Sequence, residues 1–193
     1  MVNNLPPRHH HAGGSTRSLL DAERVLKAIG LKKSDVFLDA GSGSGYLSLA
    51  ASETVGSKGK VYAVDIHEPS IDTLKKEISD RKIKNIEAIT ADVTAKTPLA
   101  DESIDICLMA NVLHGFVENK EVAGVLKEIT RLLKKGSVLA VVEFKKMDNI
   151  PGPPLSIKLA PDQVAAIITP YHYREKQVAE VGPYHYAAIF INK

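Results

Sequence analysis

Short apolar runs rich in β-branched residues alternate with amphipathic stretches from residue 35 onward, and this alternation constrains the fold more than any other feature. Five runs have strand length, and they read VFLDA (36–40), KVYAVD (60–65), IEAITAD (86–92), IDICLMAN (104–111) and SVLAVVEF (137–144). They are apolar almost throughout, as strands covered on both faces should be. The alternation predicts a doubly wound, Rossmann-like α/β fold with a mostly parallel sheet.

The C-terminal part of the chain follows a different pattern. After a short predicted helix near 161–169, residues 173–182 and 185–193 form two more predicted strands, too close together for a helical crossover. They should therefore pair antiparallel, as a terminal hairpin at the edge of the sheet. The expected sheet then has seven strands, an antiparallel C-terminal strand and helices on both faces.

Helix boundaries are predicted from apolar spacing and from residues typical of helix ends. Residues 122–133 place their apolar side chains on one helical face, and the following Lys-Lys-Gly (134–136) is typical of a basic last turn and a glycine stop. Residues 15–30 predict an N-terminal helix, for which Ser18 and Asp21 suggest a capping box.

Length and composition bound the number of domains and the class of protein. The chain has 193 residues, which suits a single domain at 15–193 behind a flexible or capping segment at 1–14. A net charge of +2 gives no reason to expect a nucleic-acid or membrane partner. The single cysteine, Cys107, excludes a disulfide framework, and we expect no metal site. Without a signal-peptide core or a membrane-spanning stretch, a cytoplasmic location is expected.

The stretch LDAGSGSG (38–45) predicts a glycine turn between the first strand and a helix. A dinucleotide site would have its last glycine where this chain has Tyr46, and a phosphate-binding P-loop would need Gly-Lys-Ser/Thr. Asp39, two residues before the first glycine, would repel a diphosphate but attract a cationic ligand. S-adenosylmethionine has an ammonium, a sulfonium and a carboxylate suited to backbone N–H groups at a helix start.

Two further acids end the next two predicted strands. Asp65 suits a carboxylate that accepts both ribose hydroxyls, and Ile66 follows it at a position that could face adenine. Asp92 could accept the adenine amino group while Val93 packs on the ring. Each aspartate alone is more often an ordinary capping residue. The ordered set at one edge of a parallel sheet indicates a ligand site.

These segments together resemble a known family. LDAGSGSGYLSLAAS, VYAVDI, ITADV, MANVLHG and LLKKGSVLAVVEF are similar to successive motifs of class I S-adenosylmethionine-dependent methyltransferases, in particular the small-molecule branch that includes the ubiquinone/menaquinone C-methyltransferases. The resemblance spans residues 22–193 and implies S-adenosylmethionine as the cofactor. The cofactor-binding residues that it implies are Asp39, Gly41, Ser42, Gly43, Gly45, Asp65, Ile66, Asp92, Val93 and Asn111, the last through its backbone.

The acceptor side is less determined by the sequence. His114, three residues after Asn111, is the candidate catalytic base, although it could equally cap a loop or shape the pocket. Glu143 ends the fifth strand and is either a pocket-edge residue or an ion-pair partner of Lys145 or Lys146. No acid–histidine dyad is evident. The chain is also shorter than the quinone enzymes, which argues against a long isoprenoid acceptor.

Three functions remain open from the sequence. The first is a methyltransferase that acts on a small molecule by in-line displacement, as a monomer or homodimer. The second is a protein or RNA methyltransferase, although the small net charge disfavours RNA. The third is a non-catalytic module that binds S-adenosylmethionine.

Overall fold

The computed structural model describes residues 19–193. Within them, strands and helices alternate as the apolar pattern predicts. The elements are α1 (Ala22–Ile29), β1 (Val36–Ala40), α2 (Tyr46–Val55), β2 (Lys60–Asp65), α3 (Glu68–Asp80), β3 (Ile86–Thr90), β4 (Ile104–Ala110), α4 (Leu113–Glu118), α5 (Val122–Leu132), β5 (Leu133–Phe144), α6 (Pro161–Ile168), β6 (Tyr173–Glu180) and β7 (His185–Asn192).

All seven strands form one sheet in the order β3-β2-β1-β4-β5-β7-β6. The first five strands pair parallel, and β7 pairs antiparallel with both β5 and β6. The strand order reverses between β1 and β4, which is the switch point where open α/β sheets bind ligands. The predicted fold class and the terminal hairpin are confirmed.

Helices cover both faces of the sheet because neighbouring strand residues point to opposite sides. On one side, Leu38 packs with apolar residues of α4, α5 and α6. On the other, Phe37 packs with apolar residues of α1, α2 and α3. Both side chains are fully buried. The strand β1 is therefore buried between two cores, and the glycine turn follows at its carboxyl end.

The N-terminal helix begins later than predicted. It starts at Ala22, and Asp21 is its N-cap, with the Asp21 carboxylate accepting the backbone N–H of Arg24 at 3.1 Å. Asp21 thus occupies the cap position and not the fourth position of a capping box. Ser18 and the expected flexible or capping segment 1–14 lie outside the described residues.

The boundary between α5 and β5 also differs from the prediction. The helix ends at Leu132, and the strand begins at Leu133, so Lys-Lys-Gly (134–136) belongs to β5 and does not stop the helix. Leu133 is buried and pairs with Ile104, whereas the next paired residue is Val138 opposite Ile106. The basic residues therefore bulge out of an otherwise buried strand.

The strand β6 is one edge of the sheet. Most of its residues are exposed, and its register with β7 shifts between Glu175 and Gln177. At the opposite edge, β3 ends at Thr90, so Asp92 lies two residues beyond the strand that was expected to include it. Across residues 19–193, every helix falls short of the length and apolar character needed to cross a bilayer.

Candidate active site

A cavity of about 900 Å³ opens at the carboxyl ends of β1, β2 and β4. This volume is within the range of small-molecule sites. The segment between β5 and α6 contributes Pro153, Pro154 and Ile157 to its lining. Of the predicted site residues, all except Gly45 line this cavity. Gly45 instead lies at the N-cap of α2, where an added Cβ would meet the Leu74 side chain at 2.4 Å.

The glycine turn is fastened to β2 by its own backbone. The N–H groups of Gly41 and Ser42 donate to the Val64 carbonyl at 2.8 and 3.0 Å. The N–H of Gly43 donates to the Asp65 carboxylate at 2.7 Å. These three donors are therefore occupied within the protein. At Gly43 an added Cβ would meet nothing within 4 Å, so the turn presents open space there to the cavity.

Asp39 lies at the bottom of the cavity, just before the turn. It is 2 % exposed, and the Ser48 hydroxyl donates to its carboxylate at 2.6 Å. Burial raises the pKa of Asp39 from 3.8 to about 6, and the neighbouring Asp65 contributes to the rise. An ionised Asp39 is therefore costly without a neighbouring positive charge, and a cationic group bound beside it would lower that cost.

Asp65 ends β2 and is held in one orientation. One carboxylate oxygen accepts the N–H of Gly43, and the other accepts the N–H of His67 at 2.8 Å. A carboxylate has about four acceptor positions, so both oxygens can still accept ligand hydroxyls. Ile66, next in the chain, is 55 % exposed and lines the cavity. The arrangement provides a fixed acceptor beside an apolar side chain.

Asp92 lies in the loop after β3 and lines the cavity. One of its oxygens accepts both the N–H and the hydroxyl of Thr94, at 2.8 and 2.6 Å. Val93 is buried in the core and contributes to the cavity lining. The loop thus combines a fixed carboxylate with an apolar surface, which suits a heteroaromatic ring bearing an amino group.

Asn111 follows β4 in the left-handed backbone region, with φ of +58°. Its N–H donates to the Val142 carbonyl at 2.8 Å. Both polar atoms of its side chain are buried and have no hydrogen-bond partner within the described part of the chain. Leaving a buried polar group unsatisfied costs about 1–3 kcal/mol. Because Asn111 lines the cavity, a polar ligand group could satisfy its carboxamide.

His114 and Glu143 form a buried pair, of which His114 lines the cavity. The Glu143 carboxylate accepts from His114 Nδ1 at 2.7 Å and from the His114 backbone N–H at 3.1 Å. The side chains are 2 % and 1 % exposed. No acid–histidine dyad is evident from the sequence, yet the structure forms one. Of the two roles left open for Glu143, the ion pair with Lys145 or Lys146 is not formed, since Lys145 pairs with Glu180 and Lys146 bonds Gln163.

The charge of the cavity is one-sided. Its carboxylates belong to Asp39, Asp65, Asp92 and Glu121, and the described residues that line it include no lysine or arginine. Phe116 and Phe144 add aromatic surface to the lining. Nor do residues 19–193 contain a group of three or more His, Cys, Asp or Glu side chains arranged to hold a metal ion.

Comparison with known proteins decides the family. A family model described as a methyltransferase domain matches residues 31–179, which include the glycine turn and all the strands that carry the site. The chain belongs to this family. The class I methyltransferase resemblance of the sequence motifs is thereby confirmed.

Individual relatives of this methyltransferase domain agree. The ubiquinone/menaquinone biosynthesis C-methyltransferase UbiE of Azotobacter vinelandii is 33% identical over 126 residues, which are 65% of this chain and 48% of that protein. The UbiE protein of Pseudomonas entomophila is 31% identical over the same length. The methyltransferase domain thus spans about half the length of these curated relatives.

Solved structures match over nearly the whole chain. A SAM dependent methyltransferase from Aquifex aeolicus aligns with a TM-score of 0.84 and 31% identity, covering 94% of this chain and 95% of that one. A putative type 11 methyltransferase from Sulfolobus solfataricus has a TM-score of 0.74 at 23% identity, covering 91% and 94%, and supports the fold alone. The methyltransferase domain is therefore close in extent to these solved chains.

Proposed function

We propose that this methyltransferase domain binds S-adenosylmethionine in the cavity and transfers its methyl group to a small molecule by in-line displacement. The observation that carries the proposal is the charge of the lining, with Asp39 and Asp65 beside the glycine turn and no lysine or arginine among the described residues of the cavity wall. Such a lining disfavours a diphosphate and favours a ligand with cationic groups.

The adenosine and the ammonium of the cofactor each have a matching surface. Asp65 is oriented to accept the two ribose hydroxyls, and Asp92 and Val93 suit the amino group and face of adenine, with Ile66 opposite. The methionine end would lie at the turn of Gly41, Ser42 and Gly43, with its ammonium toward Asp39. The unsatisfied Asn111 carboxamide supports a polar ligand group nearby. In contrast to the backbone contact that the resemblance implies, it offers a side-chain contact.

Bound there, the cofactor would supply a methyl group already activated by a sulfonium. The protein then needs to hold acceptor, methyl carbon and sulfur in line and to exclude water, and positioning of this kind is worth about 7–11 kcal/mol. Phe116, Phe144, Pro153 and Pro154 contribute apolar surface to the cavity. A cavity of about 900 Å³ with such surface supports a small acceptor rather than a protein or RNA. A cytoplasmic location and a monomeric or homodimeric state remain predictions.

Calorimetry of the purified protein with S-adenosylmethionine, S-adenosylhomocysteine and NAD tests the cofactor. We expect both adenosyl compounds to bind and NAD not to bind. Binding of NAD, or of no adenosyl compound, would contradict the proposal. Incubation with S-adenosylmethionine labelled in its methyl group then tests transfer. Label in proteins or RNA, or binding without any labelled product, would instead support the two alternative functions.

A further inference from the structure

Glu143 is a buried carboxylate whose hydrogen-bond partners, among the described residues, both belong to His114. A second buried glutamate, Glu128, has a purely structural set of contacts and serves for comparison. Its carboxylate accepts from Thr97 and from Arg131, a permanent cation, and it lies away from the cavity. Within residues 19–193, no lysine or arginine pairs with Glu143, and the adjacent Lys145 and Lys146 contact Glu180 and Gln163 instead. Among the described residues, Glu143 is held by the two hydrogen bonds from His114.

Burying a carboxylate costs several kcal/mol unless it is paired, and an apolar side chain of similar size would fill the same space without that cost. The buried Glu143 carboxylate holds the His114 ring and the His114 backbone in one position, which is the role of a group that orients a general base.

The hydrogen bond also sets which nitrogen can act. With the Nδ1 proton donated to Glu143, neutral His114 carries its lone pair on Nε2. His114 lies in the first turn of α4 and lines the cavity. The same turn begins beside the glycine turn, since an added Cβ on Gly41 would meet Val112 at 2.7 Å. The histidine is thus near the end of the site where the methyl group would be presented.

We infer that His114, oriented by Glu143, removes a proton from the reacting atom of an acceptor that carries no anionic group. This inference rests on the proposed function. The acceptor X–H loses its proton to Nε2, the electron pair of X forms the bond to the methyl carbon, and the carbon–sulfur bond breaks with its electrons left on sulfur. The imidazolium, paired with Glu143, returns the proton to solvent. The absence of anionic groups follows from the carboxylates of the cavity and its lack of described basic residues.

Three variants test this inference, with S-adenosylhomocysteine calorimetry as the control for folding and cofactor binding. His114→Gln and Glu143→Gln should bind S-adenosylhomocysteine within about threefold of the wild type. With methyl-labelled S-adenosylmethionine and a small-molecule cell extract separated by ion exchange, the wild type should label the uncharged or cationic fractions. His114→Gln should lower that rate by about 10²–10⁴-fold. Glu143→Gln should lower it by about 10- to 100-fold. The matched control Glu128→Gln should retain it.

Chemical rescue separates a positioning role of Glu143 from a merely structural one. Added imidazole should restore labelling by His114→Gly, whose vacated space opens to the cavity, but not by the double variant His114→Gly/Glu143→Gln. Equal rescue of both would refute the role of Glu143.

Other results overturn the inference while cofactor binding stands: label confined to the anionic fraction, no label in any fraction, or an unchanged rate in His114→Gln. Failure of the wild type to bind S-adenosylhomocysteine would instead refute the proposed function.

Discussion

Asp39→Asn tests whether the ionised carboxylate of the buried Asp39 lowers the free energy of unfolding. A tenfold change in an acid constant corresponds to about 1.4 kcal/mol, so a pKa raised by burial from 3.8 to about 6 means that ionised Asp39 destabilises the folded protein by about 3 kcal/mol. The folded state binds the proton more tightly than the unfolded chain. Stability therefore falls as pH rises from about 4 to about 6 and remains lower above that range.

Asparagine removes this dependence on pH. Its amide group adds a buried donor that costs about 1–3 kcal/mol, but this cost is the same at every pH. The stability of Asp39→Asn relative to the wild type should therefore increase by about 3 kcal/mol between pH 4 and pH 8. For a chain of this length, that is about 6–12 °C in relative Tm. Urea unfolding of the ligand-free proteins at both pH values measures it.

Two controls make the result decisive. Asp72→Asn changes an aspartate whose side chain is 64% exposed, and it should show no comparable gain at high pH. Asp39→Asn should also bind S-adenosylmethionine about 10- to 100-fold more weakly, since a charge-assisted contact to the ammonium is lost. A stability difference that is the same at pH 4 and pH 8 would refute the reasoning about burial. Unchanged cofactor affinity would refute the role of Asp39 as the partner of the ammonium.

Three further predictions concern Asp65, the two glycines Gly43 and Gly45, and the buried Glu128. Asp65→Asn should weaken S-adenosylmethionine binding by about 10- to 100-fold in calorimetry, because the charge-assisted bonds to the ribose become neutral; affinity equal to the wild type would show that the ribose lies elsewhere. Gly43→Ala should fold with a loss of about 1 kcal/mol in stability and yet lose cofactor affinity, because its Cβ enters open cavity space. Gly45→Ala should chiefly lose stability, because its Cβ meets Leu74 at 2.4 Å. Thermal melts and calorimetry separate the two effects, and the reverse pattern would contradict both assignments. Burial alone would raise the pKa of Glu128, but the hydrogen bonds to its carboxylate lower this pKa from 4.5 to about 2. Glu128→Gln should therefore lower Tm at pH 7, by an amount that shrinks as pH falls toward 2. A Tm difference that is independent of pH would contradict this.

The strands that form the site could be predicted because their signals are local. A buried parallel strand is a continuous apolar run, and β1 and β2 have the predicted bounds. A glycine turn after such a run, followed by acids after the next two, lies at one sheet edge in any doubly wound fold. The positions of Asp39, Asp65 and Asp92 along the cavity required no knowledge of distant contacts.

Features that depend on residues far apart could not be read from the sequence. Glu143 is 29 residues from His114, and nothing in the local pattern distinguishes this pairing from one with the adjacent lysines. The start of β5 at Leu133 depends on its partner Ile104, because Lys-Lys-Gly is also a common helix end. The signal that could have indicated the pair is a histidine shortly after β4 together with a glutamate near the end of the neighbouring strand β5.

The irregular outer strand β6 has a consequence for how the molecule meets its neighbours. A straight, apolar border would offer its unpaired backbone groups to any other extended chain and promote aggregation. Here Arg174, Glu175 and Lys176 are exposed on that border, and the shift in register beside them interrupts the ladder. Addition of a further strand from another molecule at this edge is thereby disfavoured.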